Sequence, residues 1–225
     1  MSQVLVKVCG VTDVSNALAS VEAGADFLGL NFHPASPRYL PFEAAARIAT
    51  ALAGEAGLVG LFVDRPIVEV AEILQQIQEI RTIQLHGHED VTYLELCRAL
   101  PTRPKIIRAF RLRNAADVAA MTAYLTAAAD RQASPDAVLL DAAVAGQMGG
   151  TGQTIPLDLL DGLPGHSRLI LAGGLTSLNV VERVARVRPW MVDVASGVES
   201  APGWKDVALV RAFVGAARSG ANPTA

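Results

Sequence analysis

Short apolar runs alternate with longer amphipathic segments from one end of the chain to the other. The run at 57–63 is apolar throughout, the pattern of a strand buried on both faces of a parallel sheet. The segment at 66–78 carries Val70, Ile73, Leu74 and Ile77 at helical spacing, so they share one face. The same alternation predicts strands at 4–9, 26–31, 57–63, 82–85, 105–110, 137–141, 168–172 and 191–195. It predicts helices at 13–23, 41–52, 66–78, 90–99, 115–128, 157–161, 177–187 and 205–217. Gly24 and Pro34 bound the second strand, and Pro41 stands at a helix start, where its missing N–H costs nothing.

Eight strand–helix units over 225 residues, about 28 residues each, run without a Pro/Ser-rich linker. This predicts a single α/β domain, a closed (β/α)8 TIM barrel over 1–218, with a disordered tail at 219–225. A doubly wound open sheet is the structural alternative. In a barrel the functional face is the C-terminal end of the strands, so each strand's last residue and following loop are the candidates.

Composition narrows the function classes. Hydrophobic residues make up 51% of the chain and charged residues 18%, with a net charge of -3 and no Lys/Arg-rich track for nucleic acid. The two cysteines, Cys9 and Cys97, are too few for a disulfide framework. The longest uncharged run, 142–157, is rich in Gly, Gln and Thr, which does not suit a membrane span. No apolar leader follows the first residues. The expectation is a soluble cytoplasmic protein that acts on a small molecule, with no nucleic-acid or membrane partner.

The strand ends supply the chemistry. Lys7 and Cys9 are two apart and so point to one side of strand one, and Gly10 turns the chain. Thr12 or Asp13 can cap the helix that follows. Cys9 is read either as a small buried hydrophobe or as a base, opposite Asp141 at the end of strand six, itself a loop cap or an acid. Lys7 can favour a thiolate, unless Asp193 in strand eight neutralises it.

Arg38, in the stiff turn Ser36-Pro37-Arg38, suits capture of a carboxylate or phosphate, or a surface ion pair. Arg108 and Arg111 follow strand five. His86 reads as a polar group lining the mouth and His88 as an exposed helix start; no third ligand at suitable spacing points to metal. Cys97, among Leu94, Leu96 and Leu100, reads as packing. Gly173-Gly174 after strand seven and Ser196-Gly197 after strand eight offer backbone N–H groups for a phosphate, or only tight turns, with a helix start placed at Thr176. The loop 146–152 is a mobile cover or a plain connection.

Taken in order, Lys7-Val8-Cys9-Gly10-Val11-Thr12, Glu22-Ala23-Gly24-Ala25-Asp26, Ser36-Pro37-Arg38-Tyr39 and Gln84-Leu85-His86-Gly87 resemble the phosphoribosylanthranilate isomerase family. So do Leu139-Leu140-Asp141, Gly149-Gly150-Thr151-Gly152, Gly173-Gly174-Leu175, Val192 through Glu199, and Pro202-Gly203-Trp204-Lys205-Asp206. The resemblance implies a cofactor-free Amadori rearrangement of N-(5-phosphoribosyl)anthranilate in tryptophan biosynthesis. It implies Cys9 as general base and Asp141 as general acid. It also implies Arg38 on the anthranilate carboxylate and the glycines after strands seven and eight on the phosphate. The assembly is left open between a monomer and a homodimer. The chain departs from the family pattern at 153–157 and has Ala172 and Ala195 where serine is common. The rival readings are a histidine-pathway isomerase, whose family has an aspartate at the position of Cys9, a non-catalytic phosphate-binding barrel, and a thiol redox or metal protein.

Overall fold

Eight parallel strands close on themselves, in the order of the sequence, as a barrel. The structure is a computed structural model and describes residues 3–142, 154–161 and 168–221. The chain runs β1 (Leu5–Cys9), α1 (Val14–Glu22), β2 (Phe27–Asn31), α2 (Phe42–Leu52), β3 (Gly57–Phe62), α3 (Ile67–Gln76), β4 (Ile80–Leu85) and α4 (Val91–Ala99). It continues through β5 (Lys105–Leu112), α5 (Ala115–Asp130), β6 (Ala137–Ala142), α6 (Leu157–Asp161), β7 (Leu169–Leu171), α7 (Val180–Val187) and β8 (Met191–Val194). A 3-10 turn at Ser196–Val198, a small antiparallel pair β9 (Glu199–Ala201) and β10 (Trp204–Lys205), and α8 (Val207–Ala221) complete it.

The period of two along each strand sorts side chains into two cores. Val6, Val8, Leu28, Leu30, Ile83, Leu85, Val192 and Val194 face the helices and are fully buried. The alternate positions Val59, Ile107, Ala109, Ala137, Leu139, Ile170 and Met191 fill the barrel interior. Continuing that inward row toward the strand ends reaches Lys7, Cys9, Asn31, Gln84, Arg111, Asp141 and Asp193. The barrel is therefore apolar below and polar at its mouth, with the polar residues set there by strand parity alone.

The open-sheet alternative is excluded by the β1–β8 pairing, which joins Lys7 to Asp193 in register. Among the boundaries that differ from expectation, three lie in the last two helices. The helix placed at 177–187 begins at Val180, because Thr176–Asn179 forms a turn of its own. There Thr176 N donates to Asn179 Oδ1 and Asn179 Nδ2 to the Gly174 carbonyl, each at 2.9 Å. The helix placed at 205–217 begins at Val207, because Lys205 pairs in β10. That helix runs on to Ala221, into the stretch expected to be a tail; residues 222–225 lie outside the described ones.

Candidate active site

Eight of the residues singled out from the sequence line one cavity at the barrel mouth: Cys9, Arg38, His86, Asp141, Gly173, Gly174, Ser196 and Gly197. Asn31, Gln84, Arg111 and Asp193 line it with them. Among the described residues no group of three or more His, Cys, Asp or Glu is placed to hold a metal ion, and no helix is long and apolar enough to cross a membrane.

Cys9 ends β1 and is buried. Burial pushes its thiol above the ordinary value, and the Asp193 carboxylate adds to the rise. The ammonium groups of Lys7 and Lys205 pull the other way without reversing it. Lys7 is itself completely buried, with Nζ 2.9 Å from both Asp193 oxygens. Burial disfavours its charge, but Asp193 and Cys9 together outweigh that and hold it protonated. Of the two readings of Lys7, pairing with Asp193 inside the barrel is the one the geometry shows. Gly29, the register partner of Cys9 on β2, makes the space: a Cβ there would stand 2.6 Å from Sγ and 3.1 Å from Lys7 Nζ.

Asp141 faces His86, whose Nε2 lies 3.3 Å from Oδ2. The other ring nitrogen of His86, Nδ1, is 3.1 Å from Gln84 Nε2. With the amide in that orientation Gln84 donates to Nδ1, which leaves the proton on Nε2 to donate to Asp141. Gln84 Oε1 is buried without a hydrogen-bond partner among the described residues. Gly173 (φ +81°) closes in from β7, and a Cβ on it would stand 2.8 Å from Asp141 Oδ1.

Arg38 is carried by a loop that folds on itself. Asn31 Nδ2 donates to Ser36 Oγ at 2.9 Å, and Ser36 Oγ accepts from Arg38 N at 3.1 Å. The guanidinium already holds a carboxylate of its own chain: Nε and Nη2 donate to the two Glu199 oxygens at 2.8 and 2.6 Å. Burial pushes the Glu199 carboxyl up, but Arg38 and Lys205 outweigh it and hold it below the usual range. Lys205 Nζ reaches Glu199 Oε1 at 2.6 Å and the Cys9 carbonyl at 2.6 Å. Burial lowers the Lys205 pKa.

Gly173 and Gly174 both have positive φ, 81° and 60°, which glycine adopts without strain. Gly197 packs against the Leu175 carbonyl, where no side chain fits. The helix start expected at Thr176 is a turn instead, in which the amides of Thr176, Leu178 and Asn179 are bonded within the turn, while Ser196 and Gly197 open the 3-10 turn. The Gly-rich loop 146–152 lies outside the described residues.

Two expectations need correction or completion. Arg108 does not reach the mouth: it sits one position off the inward row and is buried on the helix side. There it pairs with Glu89 at 3.3 Å, donates to the Leu85 and Ala109 carbonyls at 2.9 Å, and stacks on Phe110 and Tyr124. Glu199 and Lys205 had no role from the sequence, because the short β9–β10 hairpin that carries them has no signal in strand periodicity. His88 is exposed, and Cys97 is fully buried in α4, as read from the sequence.

The family model for N-(5′-phosphoribosyl)anthranilate isomerase matches residues 6–216. The N-(5′-phosphoribosyl)anthranilate isomerase of Geobacter metallireducens is 43% identical over 96% of this chain and all of its own. A solved structure of monomers of the dimeric enzyme from Thermotoga maritima superposes with TM-score 0.77 at 34% identity, covering 96% of this chain and 99% of that one. A second solved isomerase, in complex with reduced 1-(o-carboxyphenylamino)-1-deoxyribulose 5-phosphate, gives the same TM-score, identity and coverage.

Proposed function

The chain belongs to the N-(5′-phosphoribosyl)anthranilate isomerase family, aldose–ketose isomerases of tryptophan biosynthesis, and we propose that it catalyses their Amadori rearrangement without a cofactor, with Asp141 as general acid and Cys9 as general base. The observation that carries this reading is that a thiol and a carboxyl from strands one and six line the same cavity.

Asp141 donates its proton to the furanose ring oxygen as the C1′–O bond breaks, and the nitrogen lone pair forms the Schiff base. Cys9 then removes the C2′ proton, and those electrons neutralise the iminium to give an enolamine. Tautomerisation yields 1-(2-carboxyphenylamino)-1-deoxyribulose 5-phosphate. A buried thiol has a small thiolate fraction at neutral pH, but its thiolate is the stronger base, so the two effects partly offset. Lys7 and Lys205 favour the charge as it forms.

The backbone at Gly173, Gly174, Ser196 and Gly197 holds the phosphate, Arg38 the aryl carboxylate, and His86 the wall beside Asp141. A homodimer, the assembly named for the Thermotoga maritima relative, is the one to test beside the monomer.

The experiment follows loss of anthranilate-type fluorescence with freshly made phosphoribosylanthranilate, beside the histidine-pathway substrate. Cys9→Ser and Asp141→Asn, each checked for an intact fold by thermal melting, lose turnover by about 10²- to 10⁴-fold. Full activity in either folded variant overturns the assignment.

A further inference from the structure

Arg38 arrives at the mouth already held by a carboxylate of its own chain. A guanidinium has two edges that can take a carboxylate in a fork, Nε with Nη2 and Nη1 with Nη2. Glu199 takes the first. The second is the edge that a ligand carboxylate would use.

Resting on the reading of Arg38 above, we propose that Glu199 is a positioning residue, which turns the Arg38 guanidinium so that its Nη1/Nη2 edge receives the substrate's aryl carboxylate, with Lys205 holding Glu199 in turn.

Charge count supports this. The cluster holds two cations, Arg38 and Lys205, and one carboxylate, Glu199. Lys7 and Asp193 are matched to each other. The cluster is one anion short, and an o-aminobenzoate brings one.

Spacing supports it as well. The ortho carboxylate sits a fixed few bonds from the C2′ proton, so its anchor and the base must keep a fixed separation. The same network does both jobs: Lys205 Nζ bonds Glu199 and the Cys9 carbonyl. The Arg38 stem also lies across the turn after Cys9, where a Cβ on Gly10 would stand 3.1 Å from Arg38 Cβ.

Removing the Glu199 charge does not simply make the pocket more positive. Lys205 is buried and already lowered, and Glu199 is the largest influence raising it. Without Glu199 it sheds its proton more readily, which works against the added positive charge, and the fork loses the carboxylate that orients it.

The test compares two ligands by titration calorimetry: reduced 1-(o-carboxyphenylamino)-1-deoxyribulose 5-phosphate and the same molecule lacking the carboxylate. In the unaltered protein the carboxylate improves affinity, and in Glu199→Gln that ratio falls by about tenfold, toward its value in Arg38→Ala. A general loosening of the fold would weaken both ligands and leave the ratio unmoved. A ratio unchanged in folded Glu199→Gln, while Arg38→Ala lowers it, overturns the proposal alone. A ratio unchanged in Arg38→Ala overturns the reading of Arg38 beneath it. Should Glu199→Gln fail to fold, Glu199→Asp, whose carboxylate is one methylene short, is read on the same ratio: a fall supports the proposal and no change overturns it.

Discussion

Lys7 Nζ stands 2.9 Å from both oxygens of Asp193, inside the barrel, two residues before Cys9 on the same strand face. The β1–β8 register makes these two residues direct neighbours, so the ion pair follows from strand alignment. Two strand residues thus lead from the thiol toward the acid side of the mouth, where Asp193 lines the cavity with Asp141 and His86.

The first prediction concerns that thiol. Burial raises Cys9 and the Lys7 ammonium opposes the rise, so removing the ammonium lets the rise grow. In Lys7→Met the pH dependence of iodoacetamide labelling at Cys9, followed by mass spectrometry of its peptide, shifts to higher pH. A profile that stays in place, or moves down, would mean that Lys7 does not act on the thiol.

The barrel was legible because its cause is local. A parallel strand buried on both faces reads as an apolar run, and the helices between carry a helical stripe. Strand parity then places Cys9 and Asp141 together, so those residues were legible too. The Arg38 partner was not. Glu199 and Lys205 sit in a small β9–β10 hairpin whose two strands are three and two residues long, too short to show a period. Arg108 misled for a related reason. Its place near a strand end suggested the mouth, but parity sends it outward, where Glu89 and two aromatic rings receive it. Counting parity from Arg111, which does line the cavity, would have shown it.

A second prediction uses Cys97, which is far from the proposed chemistry. Burial in α4 pushes its thiol from the ordinary 9.0 up to about 12. Below 9.0 both folded and unfolded chains keep the proton, and the contribution to stability is full. Between 9.0 and about 12 the unfolded chain releases it first, so the folded chain binds more protons and stability falls as pH rises. The slope is about 1.4 kcal/mol per pH unit at most. Urea unfolding of Cys97→Ala, under reducing conditions at pH 8 and 10.5, should therefore show less loss of stability than the unaltered chain by about 1–2 kcal/mol. Equal losses would place the Cys97 thiol near its ordinary value.

The last prediction separates backbone strain from crowding of the acid. Gly173 and Gly54 both have positive φ, 81° and 87°. A side chain at either costs strain of about 1 kcal/mol or more. Around Gly54 nothing lies within 4 Å of an added Cβ. Around Gly173 that Cβ would meet the Ala142 backbone nitrogen, and it would stand 2.7 Å from Ala142 Cβ and 2.8 Å from Asp141 Oδ1. Ala142 is backbone in β6 and cannot swing aside, so Asp141 and the β7 turn must shift instead. Gly54→Ala should lose about 1 kcal/mol in urea unfolding and keep its turnover. Gly173→Ala should lose about 2–3 kcal/mol and, in addition, turnover by about tenfold or more, because a displaced acid no longer meets the ring oxygen. If both variants lose the same stability and neither loses turnover, Asp141 does not depend on the closeness of that turn.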